Sequence, residues 1–258
     1  MKTRFLLLSL LSVTVSAAAA ESCWVKGVTA EKGWFDAEKT GQNDALMCWA
    51  AASANAVAWW QAQHKDAAQQ SGAPTGLKNI WKTYREVFGN SGGLAANGIN
   101  WWFNGDTENL SPTITGKGAY YRQAAPLAER YPLDRYLAAT PATLSGEITA
   151  FIRNGCAVTL GLYHVGEGNQ LELSSGHAVT LWGADLNDEG VITTMYLTDS
   201  DDRKKGILKV RCTPVEGLTR SGHAGSRFAS FRIKSDEGSY NGQSVIGEFT
   251  VLNGAAPL

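Results

Sequence analysis

The segment "SSGHAVTLWGADLNDEGVITTMYLTDSDD", residues 174–202, joins two runs rich in apolar and β-branched residues through the tetrapeptide "NDEG". Such a pattern is a strong short-range signal for a β-hairpin, with strands over 177–186 and 191–200. A three-residue loop of Asp188, Glu189 and Gly190, with Gly190 left-handed, pairs Asn187 with Val191 and makes the paired numbers sum to 378. His177 then faces Asp201, with Asp199 diagonal to it on the same side. A slip of one residue turns both carboxylates away.

Working outward, "NGCAVTLGLY" predicts a buried strand over 157–163, and "VIGEFTVL", residues 245–252, predicts a closing strand. Helices are expected over 46–63, 76–88 and 142–155, the last stopped by Gly155. In the first, Asn43 or Asp44 is available as N-cap, and Leu46, Ala50, Val57 and Trp60 are candidates for burial. "GINWWFNGD", residues 98–106, reads as an aromatic-rich strand or turn. No internal repeat or biased linker divides the chain, so a single α+β domain is expected over 21–258.

The chain has 258 residues, of which 44% are hydrophobic and 18% charged, enough for one substantial core and unlike a disordered sequence. Residues 1–20, "MKTRFLLLSLLSVTVSAAAA", have the layout of a signal peptide: Lys2 and Arg4, an apolar run, then small residues suited to cleavage near Ala18 or Ala20. The remainder contains no other membrane-spanning run, and Cys23 lacks the neighbours of a lipid-modified cysteine. A secreted or periplasmic protein is therefore expected, with no membrane insertion. Without Lys2 and Arg4 the 23 basic residues fall to 21, against 24 acidic, a net charge of −3. No basic run is dense enough to neutralise a series of phosphates, so nucleic acid is not an expected partner.

In an oxidising compartment the four cysteines, Cys23, Cys48, Cys156 and Cys212, would ordinarily suggest disulfides. Their spacing contains no CxxC and no nearby His pair, which gives structural zinc little support, and no cofactor is expected. Cys156 reads as a buried strand residue. Cys23 and Cys212 are candidates for one bridge. Cys48 stands apart because it falls in the first turn of the Ala-rich helix, where free N–H groups and the helix dipole favour a thiolate.

A nucleophilic cysteine needs a base. His64 sits in the polar end of the first helix, and His164 and His223 read as loop residues. His177 opens a buried strand beside Gly176, which suits a general base. A thiol at a helix start with a histidine at a strand start is the pattern of cysteine hydrolases, and "TDSDD" supplies the orienting carboxylate that such a pair requires. The competing reading of "DSDD" and "DLNDEG" is a calcium loop, but counting from Asp185 puts Tyr196 where an EF-hand needs its bidentate glutamate.

The blocks "WVKGVT", "GWFDAEKT", "DALMCWAAASAN" and "GHAVTLWGADLNDEGVITTMYLTDSDD" resemble, in order, those of the Mac/IdeS family of IgG-degrading cysteine endopeptidases. The resemblance implies a papain-like fold, with an N-terminal catalytic helix packed on a mainly antiparallel sheet. It implies Cys48 as nucleophile, His177 as general base, and Asp199 and Asp201 as the two functional aspartates. Lys39, otherwise a surface charge by its sequence, corresponds to a lysine near the oxyanion site. Two departures stand out: the spacing from Lys39 to Cys48 is about one residue shorter than in the family, and the region between the first helix and "LSGEIT" is shorter and richer in Trp and Gly. The implied activity is hydrolysis of a protein or peptide substrate, with IgG as the family's example. The alternatives are a periplasmic cell-wall peptide hydrolase and a non-catalytic protein-binding module that uses the 98–106 tryptophans as its anchor.

Overall fold

The computed structural model describes residues 21–105, 118–121, 128–136, 140–202, 204–220, 226–236 and 240–255. The signal-peptide expectation for 1–20 and the loop reading of His223 lie outside these. Strands run over Glu21–Trp24 (β1), Ala128–Pro132 (β2), Ala157–Val165 (β3), Gln170–Leu186 (β4), Ile192–Thr198 (β5), Leu208–Arg220 (β6), Phe228–Ser235 (β7) and Asn241–Leu252 (β8). Helices run over Cys48–Gln63 (α1), Lys65–Gln70 (α2), Leu77–Phe88 (α3), Ala95–Asn104 (α4), Leu133–Tyr136 (α5) and Pro141–Arg153 (α6). Among the described residues no helix is long and apolar enough to cross a membrane.

The strands form one eight-stranded sheet in the order β1-β4-β3-β8-β7-β6-β5, with β2 on β8 and β5 pairing back to β4. Its ladders are antiparallel apart from a short parallel contact between β4 and β6. This corrects the expected papain-like architecture of an N-terminal helix packed on a sheet: a large, mostly antiparallel sheet dominates the fold, and the helices are few. The reason lies in β6 and β7, which carry no clean strand signal in the sequence. Pro214 and Gly217 interrupt β6 like strand breakers, yet β6 pairs with β7 on both sides of a register shift between Val215 and Leu218.

The hairpin at 187–191 forms with Gly190 at φ 73° and the Asn187 N–H bonded to the Val191 carbonyl at 2.9 Å. Leu186 pairs with Ile192, the ladder runs one residue out of step from Asp185 to Gly183, and the original register returns at Leu181 with Leu197 and Thr180 with Thr198. Two opposite irregularities cancel. The face assignment at the site end therefore survives, although the ladder stops at Thr198, before either aspartate.

Helix α1 has no amphipathic stripe, because every residue from Trp49 to Gln61 is buried. A helix buried on all sides needs packing partners all round, and here it lies among α3, α4, β3 and β4. The segment expected as strand or turn at 98–106 is instead mostly α4, and Trp101, Trp102 and Phe103 are fully buried. Gly98 lets α4 press against α1: a Cβ there would stand 2.6 Å from Ser53 Oγ and 2.8 Å from the Trp49 ring. The aromatic run signalled interior packing rather than strand backbone. The surface required by the binding-module reading is core. Leu46 departs from expectation in the other direction and is 57% exposed. Cys23 and Cys212 are both free and buried, so the candidate bridge is absent.

Candidate active site

Cys48 is the first residue of α1, where the helix leaves its leading N–H groups unsatisfied. The expected side-chain cap is not made, and Met47 holds the N-cap position. Asp44, fully buried, instead ties the preceding loop: it accepts from the Thr40 and Gly41 N–H groups at 2.9 and 2.8 Å, and Arg85 Nη1 approaches it at 3.4 Å. The Met47 N–H bonds the Asp44 carbonyl at 3.0 Å, which joins that loop to the helix entry. Lys39 therefore reaches the head of α1 on a braced segment. Its own N–H bonds the Ser200 carbonyl at 3.0 Å, across to the loop after β5.

His177, on β4, directs Nε2 to Asp199 Oδ1 at 2.7 Å, and Cys48 shares its cleft. Its Nδ1 lies 3.8 Å from Asp201 Oδ2. Asp199 is 6% exposed and its remaining oxygen accepts from the Tyr240 hydroxyl at 2.5 Å, while Oδ1 also accepts from the Asp201 N–H at 2.9 Å. The Lys39 side chain, 7% exposed, bonds Asp201 Oδ1 at 2.6 Å and the Ala45 carbonyl at 2.7 Å. All five residues expected at the site thus meet at one place, drawn from the segment before α1, from α1 and β4, and from the loop after β5. Tyr240 joins them without any warning from the sequence, where "GSYNGQ" resembles an ordinary loop.

Charge is distributed accordingly. Burial pushes the Cys48 thiol up, but the His177 hydrogen bond and charge, the Ala178 backbone and the Lys39 charge outweigh it and hold it below its ordinary value. Burial pushes His177 down, but hydrogen bonds and charge from Asp199 and Cys48 push it up to about 10. Burial opposes ionisation of Asp199 too, yet His177, Tyr240 and the Asp201 N–H keep its carboxyl below the usual range. Each shift favours a thiolate beside an imidazolium beside a carboxylate.

His177, Asp199 and Asp201 also present donor atoms within 4.8 Å of one another, a spacing that could hold a cation. Those atoms already have partners: both Asp199 oxygens accept hydrogen bonds, and Asp201 bonds Lys39. The set therefore fits proton handling better than chelation.

Cys48 and His177 open on a cleft of about 570 Å³, with Trp49, Gly93 and Leu173 among its walls and Gly161 and Glu248 toward β3 and β8. A second hollow of about 290 Å³ lies against the Asp199 side of His177 and is lined by Tyr240, Asn241, Gln243 and Ser244. Trp49 and Trp182 are packing residues, each buried with its indole N–H bonded, to the Ser91 carbonyl and to Thr198 Oγ1 respectively.

No curated protein matches the chain. Residues 155–229, which run from the end of α6 into β7 and carry His177, Asp199 and Asp201, match the family described as Mac 1. The likeness to the Mac/IdeS family read from the sequence blocks is therefore shown over that segment.

Proposed function

We propose that this protein is a cysteine endopeptidase acting on a protein substrate. The observation that carries the reading is that Cys48 and His177 share one cleft, with His177 Nε2 at 2.7 Å from the Asp199 carboxylate. The Cys48 thiolate attacks a peptide carbonyl carbon, and the pair of electrons moves onto the carbonyl oxygen. Free N–H groups at the head of α1 lie beside that oxygen. Lys39, with Asp201 and Ala45 taking two of its three N–H donors, has one left for it. His177 then passes its proton to the leaving amine as the carbon–nitrogen bond breaks, which leaves a thioester. Water, deprotonated by His177, hydrolyses the thioester and restores the thiolate.

A cleft on one side of His177 and a hollow on the other suit a chain that continues past the scissile bond in both directions. The Mac 1 match supports a protein as the substrate, and the family resemblance makes immunoglobulin the first to try. Catalysis outside the cytoplasm, secreted or periplasmic, follows from the signal-like residues 1–20. The test is incubation of the purified protein with immunoglobulins and, separately, with murein fragments, beside Cys48→Ala as control. Cleavage of a polypeptide by the wild type alone is expected. Cleavage confined to murein peptides, or equal cleavage by the alanine variant, would contradict the proposal.

A further inference from the structure

We propose that Tyr240 is a positioning residue of this site, holding Asp199 in the orientation in which it binds His177. The inference rests on the cysteine-peptidase reading above. A carboxylate turns readily about its terminal torsion, which is broad rather than staggered. Asp199 is pinned against that rotation at both oxygens: Oδ1 takes His177 and the Asp201 N–H, and Oδ2 takes the Tyr240 hydroxyl at 2.5 Å. Removal of the hydroxyl would leave Oδ2, within a residue 6% exposed, without its bonding partner.

Tyr240 is itself placed by design of the chain rather than by the chance of packing. Its N–H bonds Ser235 Oγ at 3.0 Å, and its carbonyl accepts the Ser235 N–H, also at 3.0 Å. Ser235 is 4% exposed and ends β7, while β8 begins immediately after Tyr240. This clasp sets the phenol at the wall of the polar hollow beside His177. A ring that merely filled space there could be phenylalanine; the hydroxyl is the part that meets the site.

The groups facing Asp199 are His177 from β4, Tyr240 from the entry to β8, Asp201 on its own loop, and Asp36 from the segment before α1. Asp202 adds negative charge near Tyr240. Of the side chains among these, His177 and Tyr240 donate to Asp199, so loss of the Tyr240 hydroxyl leaves His177 the sole side-chain donor among them. Asp199 then accepts a proton at higher pH, its grip on the imidazole loosens, and the Cys48 thiolate loses its counter-ion on the acid side.

The experiment is the rate of Cys48 alkylation by iodoacetamide from pH 4 to 9, mapped to the residue by mass spectrometry, in the wild type, Tyr240→Phe and Ser235→Ala. Thermal unfolding is followed in parallel. Tyr240→Phe is expected to stay folded and to move the acid limb toward neutrality by about one pH unit, a tenfold loss of rate on that limb. Ser235→Ala should move it in the same direction by less. An unmoved limb in folded Tyr240→Phe overturns the proposal, and if that variant does not fold, an unmoved limb in Ser235→Ala does so. A wild type in which Cys48 shows no reactivity below pH 7 would instead overturn the reading of the site itself, and this inference with it.

Discussion

The head of α1 and the middle of β6 each carry a cysteine, half-buried on the cleft in the first and buried in the second, and the two thiols are driven in opposite directions. Cys212, 8% exposed in β6, has burial alone acting on it and is pushed far up. Cys48 feels the same push from burial, but His177, the Ala178 backbone and Lys39 reverse it. Cys23 and Cys156 side with Cys212, since burial raises both despite smaller opposing influences. Thiol acidity here is thus set by the balance between burial and neighbours, and at Cys48 the neighbours, contributed by β4 and by the segment before α1, prevail.

The most severe way to break this contrast is Cys48→Ala, expected to abolish peptide hydrolysis while thermal unfolding stays close to the wild type, because the surrounding helix is already built of buried alanines. Asp199→Asn comes next. By analogy with the orienting aspartate of serine hydrolases it should lower kcat by on the order of 10³ to 10⁴. Asp201→Asn should cost less, because Asp201 stands 3.8 Å from the ring against 2.7 Å for Asp199. Steady-state kinetics on any cleaved polypeptide checks the order. Equal losses would mean that both carboxylates hold the imidazole.

A smaller effect is expected from Lys39→Ala, which should reduce kcat by about 10² to 10³ with little change in KM, as loss of a donor to transition-state charge does. Because Lys39 also anchors Asp201, Asp201→Asn combined with Lys39→Ala should fall short of the sum of the two single effects. Full additivity would separate the lysine from the aspartate.

Much of this was legible in the residues. The "NDEG" turn fixed the hairpin, and with it the face on which His177 meets the aspartates. Counting alone favoured Asp201 as the closer partner, whereas the ladder ends at Thr198 and the loop beyond it delivers Asp199. That loop geometry depends on tertiary bonds such as Lys39 to Ser200, which strand periodicity does not encode. The role of Asp44 is not legible in the sequence, because an acidic residue ahead of a helix suits a cap and a loop brace equally well. α4 is not legible either, since its tryptophans favour any buried surface, and the helical choice rests on contact with α1 through Gly98. Tyr240 left no local signal, as its meaning depends on Asp199, 41 positions away.

The smallest predicted effect concerns Asp36, a carboxyl outside the reacting set. Burial is the main cause that pushes it up to about 6, and one of its oxygens is buried without a hydrogen-bond partner among the described residues. A carboxyl raised above its ordinary 3.8 favours the fold when protonated, so that contribution is lost as pH rises through about 6. Asp36→Asn should therefore gain thermal stability relative to the wild type between pH 4 and pH 8. The paired site behaves oppositely at each end: the His177 contribution is complete below its ordinary 6.5 and fades as pH rises through about 10, while that of Asp199 is present above 3.8 and fades as pH falls below it. Melting curves at several pH values read all three, and a pH-independent difference for Asp36→Asn would refute the assignment.

The contrast between the two regions is tested most directly by exposing the native protein to iodoacetamide at pH 6 and measuring, by mass spectrometry, the rate of labelling at each of Cys23, Cys48, Cys156 and Cys212. The account predicts rapid labelling at Cys48, suppressed in His177→Ala, and none at the other three on the same timescale. Labelling of Cys48 no faster than that of Cys212, or unaffected by loss of His177, would contradict it.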